Sequence, residues 1–220
     1  MTTLSGKVTI SSSRPPRKSQ LMMLRSRPWR VVAVAFLLLV PGCSGDNSRA
    51  PEDPSLEGVL VQDPPQGFVL VPGSSGPLGL TEASVAITYA DPAESRKLLE
   101  TAGFQAGESR VWSKDEDFAS VYVYRLEAPL GAQQLLDFAL QALRAQPSAN
   151  VFKVPAVTGA TGYVLSGVAR KDKRTLFCQG VWFIRGERAF NQNTCSSAHP
   201  SDNEDVVSLA RAQDAAVSSP

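Results

Sequence analysis

Apolar positions along the chain take three forms, and each predicts a different element. One is an unbroken run, residues 31–40, with no polar residue inside it. The second is a strand-like pattern. Residues 119–126, Ala-Ser-Val-Tyr-Val-Tyr-Arg-Leu, are dominated by β-branched and aromatic types and read as a strand. Arg110-Val111-Trp112-Ser113 reads as its partner, with Asp115-Glu116-Asp117 as the turn between them. A short strand is expected over 67–71, ended by Pro72-Gly73, and four more over 151–154, 162–169, 175–185 and 188–194. The third form is helical spacing. Leu135, Phe138, Ala139, Ala142 and Leu143 make one buried face of a helix over 131–145. An earlier helix starts at Asp91-Pro92-Ala93-Glu94, where Asp91 accepts from free N–H groups and Pro92 suits the first helical position. Leu98, Leu99 and Ala102 supply its buried stripe and Gly103 its stop. A last helix over 203–216 follows Ser201 and Glu204, which stand at capping-box spacing. The order β-α-β-β-α-β-β-β-β-α, with hairpin-connected strands, predicts an α+β fold: a mainly antiparallel sheet with helices packed on it.

The hairpin over 175–194 fixes a covalent link. Gly186-Glu187 is a two-residue connection, and Gly in its first position suits a type II′ turn. Arg185 then faces Arg188, and counting outward brings Cys178 opposite Cys195 in a non-hydrogen-bonded pair. Its Cα atoms are expected roughly 4.5 Å apart, within the separation a disulfide tolerates. An intradomain disulfide is predicted there, with two free thiols as the alternative. Cys43, the remaining one of three cysteines, is left without a partner.

Charge is distributed unevenly. Seven of the 22 basic residues and none of the 21 acidic ones fall in residues 1–42, which leaves 15 basic and 21 acidic residues, a formal net charge of −6, in 43–220. An acidic remainder argues against nucleic-acid binding. Arg25, Arg27 and Arg30 precede the apolar run, and Pro41-Gly42 follows it. These are the parts of a signal peptide over 1–42. A helix of ten residues rises roughly 15 Å, half of a ~30 Å hydrocarbon core, which makes a permanent span the weaker reading. Translation from Met22 or Met23 would give the basic segment a more usual length.

The join Leu39-Val40-Pro41-Gly42-Cys43-Ser44 resembles a bacterial lipobox: Val40, Gly42 and Cys43 match, and Pro41 departs from the pattern. The resemblance implies lipidation of Cys43 and attachment to the outer face of the cell membrane, since two or more acyl chains anchor stably where one does not. Ordinary cleavage after Gly42, giving a secreted protein, is the alternative. Residues 43–66, rich in Pro, Ser, Gly and acidic side chains, read as a flexible tether. Within them Gly58-Val59-Leu60-Val61 is an apolar island suited to packing on the domain edge. The folded extracytoplasmic domain is expected over 67–217.

Catalytic chemistry is hard to assemble from these residues. The single histidine, His199, sits between Ala198 and Pro200 and reads as a loop residue, so a hydrolase lacks its base. There is no Gly-x-Ser-x-Gly, and Gly73-Ser74-Ser75-Gly76 has neither the spacing nor the lysine of a phosphate loop. Gly159-Ala160-Thr161-Gly162 reads as a turn before a strand. Asp115, Glu116 and Asp117 lack the ligand pattern of a calcium loop, one His and three Cys exclude most zinc sites, and Arg170-Lys171-Asp172-Lys173-Arg174 reads as a solvated hairpin tip. No catalytic residue, metal ligand or cofactor is assigned. Trp112, Tyr122, Tyr124 and Trp182 are strand aromatics that either fill the core or, on an uncovered sheet face, line an apolar cleft.

Gly103-Phe104-Gln105-Ala106-Gly107, Arg110-Val111-Trp112, the strand at 121–124, Phe152-Lys153-Val154-Pro155, the Gly159 to Tyr163 turn and the Phe183 to Gly186 hairpin together resemble actinobacterial envelope lipoproteins of unassigned function. Element order and disulfide are similar to extracellular sensor domains built as a sheet-and-helix sandwich. The likeness covers roughly 66–217. It implies a non-enzymatic binding or interaction module in the cell envelope, its partners being the membrane, through Cys43, and an unidentified envelope protein or lipid. The alternative is a carrier of a lipid or other apolar ligand in a cavity between sheet and helices.

Overall fold

The computed structural model of the protein describes residues 56–87, 89–169, 175–197 and 203–218. The signal segment, Cys43, the hairpin tip at 170–174, His199 and Ser201 lie outside them. Among the described residues the strands are β1 (Val69–Leu70), β2 (Gly76–Leu78), β3 (Phe104–Lys114), β4 (Asp117–Leu126), β5 (Ala149–Lys153), β6 (Thr161–Ala169), β7 (Thr175–Arg185) and β8 (Arg188–Ser196). The helices are α1 (Leu80–Ala86), α2 (Pro92–Thr101), α3 (Pro129–Arg144) and α4 (Asn203–Ser218). The strands form one antiparallel sheet in the order β1-β3-β4-β8-β7-β6-β5, with β2 also on β3. The α+β expectation holds, with β2 and α1 added to the expected order.

Local chemistry explains the elements that the pattern predicts. Asp91 Oδ1 accepts from the N–H groups of Ala93 (2.9 Å) and Glu94 (3.1 Å) at the start of α2, and Gly103 behind its end has φ +74°. Gly186 has φ +58° in the β7–β8 turn, as a type II′ connection requires of its first residue. The register then follows from the turn: Arg185 pairs with Arg188 and Cys178 with Cys195. Those cysteines form a disulfide with Cα atoms 4.1 Å apart. In the acidic turn, Asp117 Oδ1 accepts from Ser197 N–H (3.2 Å) and Glu116 Oε2 from the Ser197 hydroxyl (3.0 Å), so these carboxylates tie down the end of β8.

Because side chains alternate across a strand, the sheet has two apolar faces and helices cover both. On the first face α1, α2 and α3 bring Ile87, Leu99, Leu135, Ala139 and Leu143 against Tyr124, Leu126, Trp182 and Ala189. On the second, α4 brings Val206, Leu209 and Ala210 against Trp112, Val121, Val181, Phe183 and Phe190. Leu60, in the apolar island expected to pack on the domain edge, is buried in this second cluster, and so is Leu56, which lies ahead of that island in the stretch expected as tether. Leu56–Val59 is a short 3-10 helix. Gln213 of α4, fully buried, accepts from Val61 N–H (3.0 Å) and donates to the Val59 carbonyl (2.6 Å).

Candidate functional site

Three successive rows of side chains on the first sheet face run across four neighbouring strands. Tyr122, Asn191 and Trp182 stand in one row, Ser120, Asn193, Gly180 and Tyr163 in the next, and Phe118, Cys195, Cys178 and Leu165 in the third. The helical layer thins above them. Ala86, at the end of α1, and Tyr89, in the connection to α2, edge a cleft of about 120 Å³ whose walls include Leu165, Leu176, Phe118 and both cysteines of the disulfide. No charged side chain lines it among the described residues.

One missing side chain shapes this floor. A Cβ on Gly180 would lie 2.3 Å from Tyr163 Cζ, so the Tyr163 ring lies across the gap that glycine leaves. From there its hydroxyl donates to Asn193 Oδ1. Asn193 Nδ2 in turn donates to Asn191 Oδ1 (2.7 Å) and, longer, to Ser120 Oγ (3.4 Å). Asn191 is 2% exposed and lines the cleft; its Nδ2 is buried and makes no well-formed hydrogen bond, but the amide lies against the Tyr163 hydroxyl and favours its ionised form. Around this chain the aromatics lock one another. Tyr89 meets Tyr163 edge-on with centroids 5.5 Å apart, and its hydroxyl accepts from Trp182 Nε1. Tyr124 stacks on Trp182 at 5.8 Å and on Tyr122 at 6.4 Å.

Burial pushes the hydroxyls of Tyr89, Tyr122, Tyr124 and Tyr163 above the ordinary tyrosine range. They therefore stay neutral at physiological pH and act as hydrogen-bonding groups. Among the described residues no group of three His, Cys, Asp or Glu side chains is placed to hold a metal ion.

The four aromatics singled out from sequence do not gather at one site. Tyr122 lines the cleft. Tyr124 and Trp182 lie behind it, fully buried in the core. Trp112 is on the opposite sheet face, because it pairs with Ala119 and shares that residue's side of the sheet. Sequence reasoning assigned no role here to Tyr89, Ser120, Asn191 and Asn193. A signal was available in the pair Asn191-x-Asn193: asparagine is depleted in strands, and alternate positions put both amides on one face. A second was Gly180 inside a long strand, which marks a close approach. Replacing Gly180 with Ala should displace the Tyr163 ring, break its bond to Asn193 and destabilise the domain by about 1–3 kcal/mol. Thermal melts and the Asn193 side-chain amide resonances would read both effects; unchanged resonances would refute the placement of that ring.

No family model matches the chain, and neither does any curated protein. Among solved structures it is similar to the crystal structure of the extracellular domain of PknH from Mycobacterium tuberculosis. Identity is 9%, the TM-score is 0.47, and the match covers 73% of this chain and 93% of that one.

Proposed function

We propose that this chain is an extracytoplasmic, non-enzymatic binding module, held at the outer face of the cell membrane by lipid on Cys43, whose ligand sits in the Tyr–Asn cleft. The observation that carries the binding role is the cleft itself, a mostly apolar hollow of about 120 Å³ with the Tyr163–Asn193–Asn191 hydrogen-bond chain in its lining. Concave, mostly apolar hollows with a few placed polar groups are the usual form of a small-molecule site. The non-enzymatic reading is supported by a lining that, among the described residues, carries no charged side chain. Export is supported by the disulfide, which persists in oxidising compartments, and the anchor by the lipobox-like join at Cys43.

A cavity that holds one benzene molecule measures about 150 Å³. The cleft is of that order, which favours a small ligand over a whole acyl chain and so over the lipid-carrier alternative. Native mass spectrometry of protein extracted from its own membranes tests the proposal. The expected species begins at Cys43, carries a diacylglycerol and releases a small adduct on activation. An unlipidated N-terminus would overturn the anchor. Turnover of a substrate that a single cleft substitution abolishes would overturn the non-enzymatic role.

A further inference from the structure

A second concave surface lies on the side of the sheet that α4 covers, away from the Tyr–Asn cleft. We propose that this groove, between residues 61–66 and α4, docks an extended segment of a partner protein and seats one lysine or arginine of that segment.

One wall is the chain leading into β1, with Val61, Asp63, Pro64 and Pro65. The other is α4, with Asp205, Ser208, Leu209 and Ala212. Between them is a hollow of about 360 Å³. Both ends of the first wall are pinned. At one end Gln213 of α4 bonds Val61 N–H and the Val59 carbonyl. At the other, Phe68 packs against the second apolar cluster and donates its N–H to the Pro65 carbonyl (3.0 Å). Pro64 and Pro65, with φ fixed by their rings, stiffen the stretch between. The groove is therefore preformed, and little ordering entropy opposes docking.

Its chemistry selects the occupant. Leu209, Ala212 and the two prolines give apolar surface, while an exposed carboxylate stands on each wall, Asp63 and Asp205. Among the described residues no basic side chain lines it. Lysine and arginine match this pairing, because their methylene stems pack on apolar surface while the charged head stays in water at the rim. An acidic segment would meet two like charges here. Shape favours a chain over a small cation. Asp63, Pro64, Asp205, Ser208 and Ala212 are all exposed, so the groove is open along its length. From Asp205 to Ala212 the helix rises about 10 Å, which an extended chain crosses in about three residues. Past Asp205 lies a second hollow of about 300 Å³ that shares Pro65, Gln66 and Asp205 with the first and continues to Asp117 and Lys114. Lys114 repels a cation there, which sets the basic residue at the Asp63 end.

The test is fluorescence anisotropy with the full-length, detergent-solubilised protein and three labelled, amidated peptides, Gly-Ser-Val-X-Val-Ala-Ser-Gly, in which X is Arg, Gln or Glu. The Arg peptide should bind saturably and about fivefold tighter than the Gln peptide, as two exposed ion pairs supply, and the Glu peptide should bind most weakly. Raising salt to about 0.5 M should narrow the Arg-to-Gln ratio. Asp63→Asn combined with Asp205→Asn, both at exposed positions, should bring that ratio close to one. Ala212→Trp, which fills the groove from an exposed helix position, should abolish binding of every peptide. If that variant fails to fold, Ser208→Trp, also exposed, takes its place. Ala86→Phe, which blocks the Tyr–Asn cleft, should leave peptide binding unchanged, so the two sites are read separately. Equal binding of the Arg and Gln peptides, binding that survives the tryptophan variant, or no saturable binding of any peptide would overturn the proposal. Acetyl-arginine amide binding as tightly as the Arg peptide would assign the groove to a free cation and overturn the partner class.

Discussion

Replacing Cys178 with Ser should lower the melting temperature under oxidising conditions by roughly 6–12 °C and leave the melting of the reduced protein unchanged. The bond closes a loop with a sequence separation of 17. Removing that constraint from the unfolded chain should cost roughly 3 kcal/mol on the chain-entropy account. In a domain of this size each kcal/mol moves the midpoint by roughly 2–4 °C. The turn at Gly186 already brings Cys178 and Cys195 opposite each other, so the link demands no rearrangement of the strands. The same two residues line the cleft. Equal melting of oxidised variant and oxidised wild type would refute a stabilising role.

The disulfide was legible because its determinants are local. A two-residue turn with glycine first sets the register of β7 and β8, and everything along that hairpin follows by counting. Helix α2 was legible for the same reason, since Asp91, Pro92 and Gly103 are signals read within one element. Helix α1 carried no such signal: it has seven residues, Gly79 at its N-cap and no side-chain cap. The cleft was harder still, because it depends on which faces of different strands coincide. Trp112 shows the difficulty. The turn between β3 and β4 is Asp115-Glu116, with Asp115 at φ +53° and Lys114 paired to Asp117. That register sets Trp112 opposite Ala119 and sends it to the face away from Tyr122. Treating Asp117 as a turn residue leaves this parity undefined, and one residue of slip exchanges the faces. The helical cover that leaves the cleft open is set by packing between distant segments, which periodicity within one segment does not encode.

A chain beginning at Gly67, the domain start that composition suggests, should fold poorly or melt more than ~10 °C below one beginning at Arg49. The segment from Leu56 to Gln62 looks like tether in composition, yet it closes the second sheet face. Leu60 is 1% exposed and Leu56 is buried beside it; each buried leucine side chain contributes about 1.5–3 kcal/mol. Its loss also strands Gln213, whose side-chain oxygen and nitrogen both bond this segment's backbone. An orphaned buried amide costs about 1–3 kcal/mol. Arg110 reaches the same segment, donating to Gln62 Oε1 and lying 3.8 Å from Glu57, although an exposed pair of that kind adds little. The combined loss is about 5 kcal/mol, against a total stability of about 5–15 kcal/mol for a whole domain. The apolar island at 58–61 pointed to packing on the domain edge, and Leu60 is buried there, but Leu56 lies outside that island, and the value of both leucines comes from the surface that α4 leaves open. If the chain from Gly67 melts within ~2 °C of the longer one, the segment is a passenger on the domain and Gln213 finds other partners without it.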